Sequence, residues 1–125
     1  MTPQHAPAPA ARAAVVTKSV MRAADRLALP NRVLAAVLGL SEATVSRMGA
    51  GSYHLDPGGK PYELAVLFLR LFRSLDAIVG GDTAVAQAWL RNANSALGAT
   101  PIALIESVAG LVNVVAYLDH RRALA

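Results

Sequence analysis

The sequence has no cysteine, and aromatic residues fill only 5% of its 125 positions. The first absence excludes disulfide frameworks, cysteine-ligated zinc and thiol catalysis. Alternation is missing as well: no segment keeps an apolar period of two, which leaves little basis for a sheet. Long uncharged runs are also lacking. The longest lies between Arg91 and Glu106, is shorter than the roughly 20 residues that span a bilayer, and contains Asn, Ser, Thr, Gly and Pro. The mean hydropathy of +0.41 therefore reflects abundant Ala, Leu and Val in a soluble chain, with no membrane association expected. Ahead of Ala11 there is no basic segment, and Pro3, Pro7 and Pro9 would interrupt the apolar core of a signal peptide. Residues 1–10 read as a disordered arm, and the protein as cytoplasmic.

Charge is sparse, at 16% of residues, and unevenly placed. Residues 1–60 hold seven basic and three acidic side chains and residues 61–125 hold five of each, so the whole formal charge of +4 lies in the first part. A basic part beside a neutral, apolar part suits one surface for a polyanion and another for a different partner; solubility alone is the plainer alternative.

What is present is helical periodicity. The chain reads as all-α, an N-terminal helix-turn-helix bundle followed by a small helical domain. A first helix is expected over 11–27, with Lys18, Arg22 and Arg26 forming a basic face. Pro30 and Asn31 open a second, over about 32–38, with Val33, Leu34 and Val37 buried. Gly39 breaks it, and Ser41 caps a third that runs to Met48. From Gly49 to Gly59 the chain is dense in helix breakers and forms a joint. Beyond Pro61, residues Leu64, Leu67, Phe68, Leu71, Phe72, Leu75 and Ile78 make a complete apolar stripe. Val66 and Leu69 stand on its far face beside Arg70, Arg73 and Asp76, which predicts contact with a second surface.

Gly80 and Gly81 stop that central helix, and Asp82 caps the next, which carries Val85, Trp89 and Leu90 to about Asn92, with Trp89 and Leu90 read as a buried pair. A turn-rich connection follows. Thr100 then reads as the side-chain cap of a helix that starts at Pro101, and the last helix or helix pair ends near Arg122. Its stripe is Val108, Leu111, Val112, Val115 and Leu118, extended around the helix by Val114 and Tyr117. One stripe packs a core; the excess needs another partner.

The strongest local motif spans Asn31 to Met48. A helix-turn-helix needs a small residue where its helices cross, a glycine at the turn and apolar residues that lock the pair. Ala35, Gly39, Val45 and Met48 meet those needs, with Leu34, Leu38 and Leu40 around them. A plain helical hairpin satisfies similar packing rules. As a recognition helix the segment presents Ser41, Glu42, Ala43, Thr44, Ser46 and Arg47 outward, and of these only Arg47 is able to make a bidentate contact to guanine. Affinity would lean on Arg32, Lys18, Arg22 and Arg26 at DNA phosphates and on dimer formation. An enzyme is not expected. His5, His54 and His120 share no spacing that suggests a metal site or an acid/base pair, and no nucleophile constellation or phosphate-binding glycine loop is present. No metal or cofactor is expected.

Trp89-Leu90, then Leu97-Gly98 with Pro101, then a small apolar helix containing Gly110, and finally Tyr117-Leu118-Asp119 resemble, in that order, the toxin-binding domain of the Xre/MbcA/ParS antitoxin family. The preceding helix-turn-helix is similar to the Xre-type half of the same proteins. The resemblance implies a type II antitoxin paired with a RES-domain toxin, an enzyme that degrades NAD. It implies a homodimer whose C-terminal region plugs the toxin's NAD pocket and whose complex binds promoter (operator) DNA. Trp89, Leu97, Gly98 and Pro101 would shape the toxin-binding domain, and Tyr117, Asp119, Arg121 and Arg122 would lie near the toxin. The expected organisation is an arm over 1–10, a DNA-binding region over 11–60, a central core and dimerisation helix over 61–81, and a toxin-binding domain over 82–125. The alternative is a free-standing transcriptional repressor whose second half dimerises or senses a ligand.

Overall fold

The computed structural model describes residues 8–124, in which there are seven helices and no strand. Helix α1 (Pro9–Arg26) begins two residues earlier than expected, because Pro9, at the first helical position, lacks only an N–H that would have no intrahelical partner. Residues 1–7 of the expected arm lie outside the described residues. Helix α1 buries Ala13, Thr17, Val20, Ala23 and Ala24. Thr17 is satisfied twice: its hydroxyl donates to the Ala13 carbonyl at 2.6 Å and accepts the Leu55 N–H at 2.9 Å. That second bond pins the glycine-rich joint into the core, where Leu55 is fully buried.

Helices α2 (Asn31–Leu38) and α3 (Glu42–Gly49) form the expected pair. Gly39 between them has φ +70°, and the Leu40 N–H closes the turn on the Ala35 carbonyl at 2.9 Å. The left-handed backbone is what demands glycine here, since an added Cβ would meet nothing closer than Leu64 Cδ1 at 4.0 Å. Val33, Leu34, Ala35, Val37, Leu38, Val45 and Met48 are buried.

Helix α4 (Lys60–Ile78) runs through the middle and packs against α1, α2 and, most extensively, α7 (Val108–Leu124). Leu69, assigned by the sequence to the outward face, is buried, as the predicted second surface requires. Val66 on the same face stays exposed. Helix α5 (Thr83–Arg91) is capped by Asp82, whose carboxylate accepts the Val85 N–H at 3.2 Å. A short α6 (Pro101–Leu104) follows the connection.

Several expectations in the second half are corrected. Thr100 occupies the cap position of α6, but its side chain makes no capping bond. Trp89 is half-buried and Val85 exposed, because α5 turns Ala86 and Leu90 inward. On α7 the buried set is Gly110, Leu111, Val114, Val115 and Leu118, while Val108 and Val112 face out at 56% and 46% exposure. The break between α6 and α7 sets the phase of the last helix, and an apolar helix carries no periodic mark of which side that phase turns inward. Buried side chains from both halves join in one cluster.

The C-terminus of α1 is held by α5. The Gln87 amide donates to the Arg26 carbonyl at 2.9 Å, and the Arg91 guanidinium donates to the carbonyls of Leu27 at 3.2 Å and Ala28 at 2.7 Å. These are the carbonyls a helix end leaves unpaired, and a cation is the favoured partner for them. The clamp surrounds Ala28, whose φ of +54° is the one positive value at a non-glycine among the described residues.

Candidate nucleic-acid interface and aromatic cluster

At the start of α3 the Ser41 hydroxyl accepts the Thr44 N–H at 3.1 Å, the N-cap geometry the sequence predicts. Ser41 Oγ also shares a hydrogen bond with Thr44 Oγ1 at 2.9 Å, and Arg47 Nη2 donates to that same Thr44 oxygen at 3.0 Å. The three side chains form a chain along one edge of the helix. Thr44 is half-buried, whereas Ser41, Glu42, Ser46 and Arg47 are exposed. A guanidinium has five N–H donors, so the bond to Thr44 orients Arg47 and leaves donors for an incoming acceptor. Glu42 sits in the first turn, where its charge suits the positive end of the helix.

The basic face expected on α1 divides. Lys18 and Arg22 line an open groove of about 540 Å³ beside the end of α3, floored in part by Met21 and Met48 and reached by His54. Arg26 instead lies over the Phe72 ring at 6.0 Å, turned toward α4. Arg32, in the first turn of α2, has its Nη1 3.4 Å from Glu106 Oε1, in the turn between α6 and α7.

The other predicted cluster gathers at α5 and α7. Trp89 and Tyr117 stack with ring centroids 6.2 Å apart and planes inclined by 17°. Arg121 lies 5.7 Å from the Tyr117 ring centre and donates to its hydroxyl at 2.9 Å. Two stacked, half-buried rings, with a guanidinium against the Tyr117 ring, offer a flat apolar patch edged by positive charge. Arg122 is exposed in the last turn. Asp119 is engaged within the chain: its two carboxylate oxygens accept Ser74 Oγ at 2.8 Å and Arg70 Nη2 at 2.6 Å, which ties α7 to α4.

Leu97, Gly98 and Pro101 lie in and after the turn that follows α5. Asn94 closes the turn by accepting the N–H groups of Ala96 and Leu97 on its side chain and that of Gly98 on its carbonyl. Leu97 is half-buried and Pro101 buried. Gly110 is required by close approach: a Cβ there would lie 1.8 Å from the Leu104 carbonyl oxygen. Ser107 caps the start of α7 by accepting the Gly110 N–H at 3.0 Å. A lone glycine inside an apolar helical pattern is a signal for such contact. Glu106, Gln87 and Arg91 carried no comparable signal.

Among the described residues no helix is long and apolar enough to cross a membrane. The family model for the antitoxin Xre-like helix-turn-helix domain matches residues 6–70, and that for the antitoxin Xre/MbcA/ParS C-terminal toxin-binding domain matches residues 74–123. The two matches meet inside α4, the helix that the sequence set apart as a central unit. Comparison with curated proteins finds no match.

Proposed function

The chain belongs to the Xre-type antitoxins, which join a helix-turn-helix to a toxin-binding domain, and from that premise we propose that it neutralises a RES-domain, NAD-degrading toxin by direct contact and binds its own promoter DNA to regulate the operon. The observation that carries the reading is the presence, in one chain, of a capped recognition helix with an oriented Arg47 and a separate ring pair topped by Arg121. Helix α3 enters the major groove with Arg47 on a guanine edge and Ser41, Glu42, Thr44 and Ser46 bordering it. Lys18, Arg22 and Arg32 take phosphates. Trp89, Tyr117, Arg121 and Arg122 meet the toxin and cover its NAD pocket, on a support made by Leu97, Gly98 and Pro101, while Asp119 fixes α7 behind them. The protein contributes binding and no chemistry, needs no cofactor, and works in the cytoplasm with its DNA and its toxin.

A second copy completes the assembly. The groove of about 590 Å³ between α4 and α7 exposes Val66, Val108 and Val112 and has Lys60 and Glu63 among its lining. Within the chain Lys60 and Glu63 pair at 3.0 Å, so the rim of the groove carries both signs of charge, as a self-complementary two-fold contact needs.

The test uses point variants, because deleting residues from Val108 onward would strip Leu111, Val114, Val115 and Leu118 from the core. Charge reversal of Arg121 and Arg122 to Glu should restore NAD consumption by the co-purified toxin and leave promoter shifts intact. Arg47→Ala should do the reverse, altering sequence preference by roughly 1–3 kcal/mol at the contacted base. If both variants behaved as wild type in both assays, the proposal would be wrong.

A further inference from the structure

We propose that Glu106 is an internal stand-in for a DNA phosphate, occupying Arg32 and holding back DNA binding until phosphate displaces it. The inference rests on the DNA-binding reading above and adds a regulatory contact to it. Three observations point the same way. Arg32 lies in the first turn of α2, the first helix of the helix-turn-helix, which in that motif crosses the DNA backbone, and the N-terminal end of a helix favours anions. The group found against its guanidinium is a carboxylate, contributed from 74 residues away by the other half of the chain. And Glu106 is held in position: its neighbour Ile105 is fully buried, Pro101 is buried, and the backbone of Leu104 packs against Gly110.

Exposure makes the exchange feasible. The Arg32 and Glu106 side chains are 65% and 34% exposed, so water and phosphate reach the pair, and a bond of this kind is weak enough to be traded. A phosphate arriving at Arg32 must first separate the guanidinium from Glu106 and then tolerate a carboxylate nearby. The cost falls on every sequence alike. The turn that carries Glu106 also lies between two helices of the toxin-binding half, so a toxin that engaged this turn would act on the same pair.

The experiment is fluorescence anisotropy of the full-length chain with a labelled duplex of its own promoter. Glu106→Gln keeps the side-chain length and should tighten binding by roughly two- to five-fold, the range expected for removing one exposed ion pair. Arg32→Gln should weaken binding, and in that background Glu106→Gln should give no further tightening. Asp76→Asn, which neutralises an acid near the C-terminal end of α4, away from the helix-turn-helix and from the groove assigned to a second copy, should leave the affinity unchanged. Equal tightening by Glu106→Gln with and without Arg32 would show general charge repulsion and overturn the inference, as would promoter binding that Glu106→Gln does not alter. If neither the wild-type chain nor Glu106→Gln bound the promoter, the DNA-binding reading would fall and this inference with it.

Discussion

Replacing Gly110 by alanine sets two effects of opposite sign against each other. Alanine is the better helix former, by about 1 kcal/mol in a helix interior. Against this, the new Cβ would stand 1.8 Å from the Leu104 carbonyl oxygen, 2.7 Å from its carbon and 2.9 Å from Ser107 Oγ. The first two of those atoms are backbone and do not swing aside as a long side chain does. Relief requires α6 to move away from α7 by more than an ångström, which draws on the buried positions of Pro101 and Ile105. Overpacking of this kind costs about 1–3 kcal/mol and occasionally more. The clash wins, and we expect a net loss of about 2 kcal/mol, or a fall in Tm of roughly 5–10 °C for a chain of this size. Thermal unfolding followed by far-ultraviolet circular dichroism reads it directly. A Tm equal to or above that of the wild type would refute the close approach of α6 to α7 and the role assigned to Gly110.

Two further substitutions probe other parts of the fold. Ala28→Gly should stabilise the protein by about 0.5–1 kcal/mol, because Ala28 is exposed at φ +54° and loses no packing, while the left-handed strain outweighs the extra freedom glycine gives the unfolded chain; a lower denaturant midpoint would contradict this. Asp119→Asn should cost up to about 1 kcal/mol through the lost ion pair with Arg70, yet leave toxin affinity unchanged in a titration of the folded variant. Unaltered stability with weakened toxin binding would instead make Asp119 a contact residue.

The helix-turn-helix was legible because its determinants are local. The backbone at Gly39, the Ser41 cap and the buried Ala35, Val45 and Met48 lie within one short span, and each follows from chemistry at its own position. The face of α7 was legible only in part: Leu111, Val114, Val115 and Leu118 are buried, whereas Val108 and Val112 of the expected stripe face out. The first half of that helix is almost wholly apolar, so periodicity has little polar side to measure from, and the close approach of Gly110 to Leu104 is a tertiary contact that spacing does not reveal. Trp89 was read as buried together with Leu90, whereas it is half-buried and its ring stacks on Tyr117. Arg26, Arg32, Arg91 and Asp119 show a further limit. Each charge could be assigned to a helix, but its partner lies on another element far along the chain, and helical spacing says nothing of pairs that only tertiary packing creates.

The clamp that Gln87 and Arg91 place on the end of α1 bears on how such a chain could be recombined. Its two family domains look exchangeable in sequence, each with its own match. Yet the carbonyls of Arg26, Leu27 and Ala28 are satisfied by side chains of α5, across the line where a splice would fall. A hybrid that kept this first half and borrowed its second from a relative would need an amide and a guanidinium at the same two places. Without them it would inherit a frayed helix next to its DNA-binding surface. On the toxin contact proposed above, specificity for a new toxin is reached more readily by changing side chains around Trp89 and Tyr117 than by grafting a whole C-terminal half.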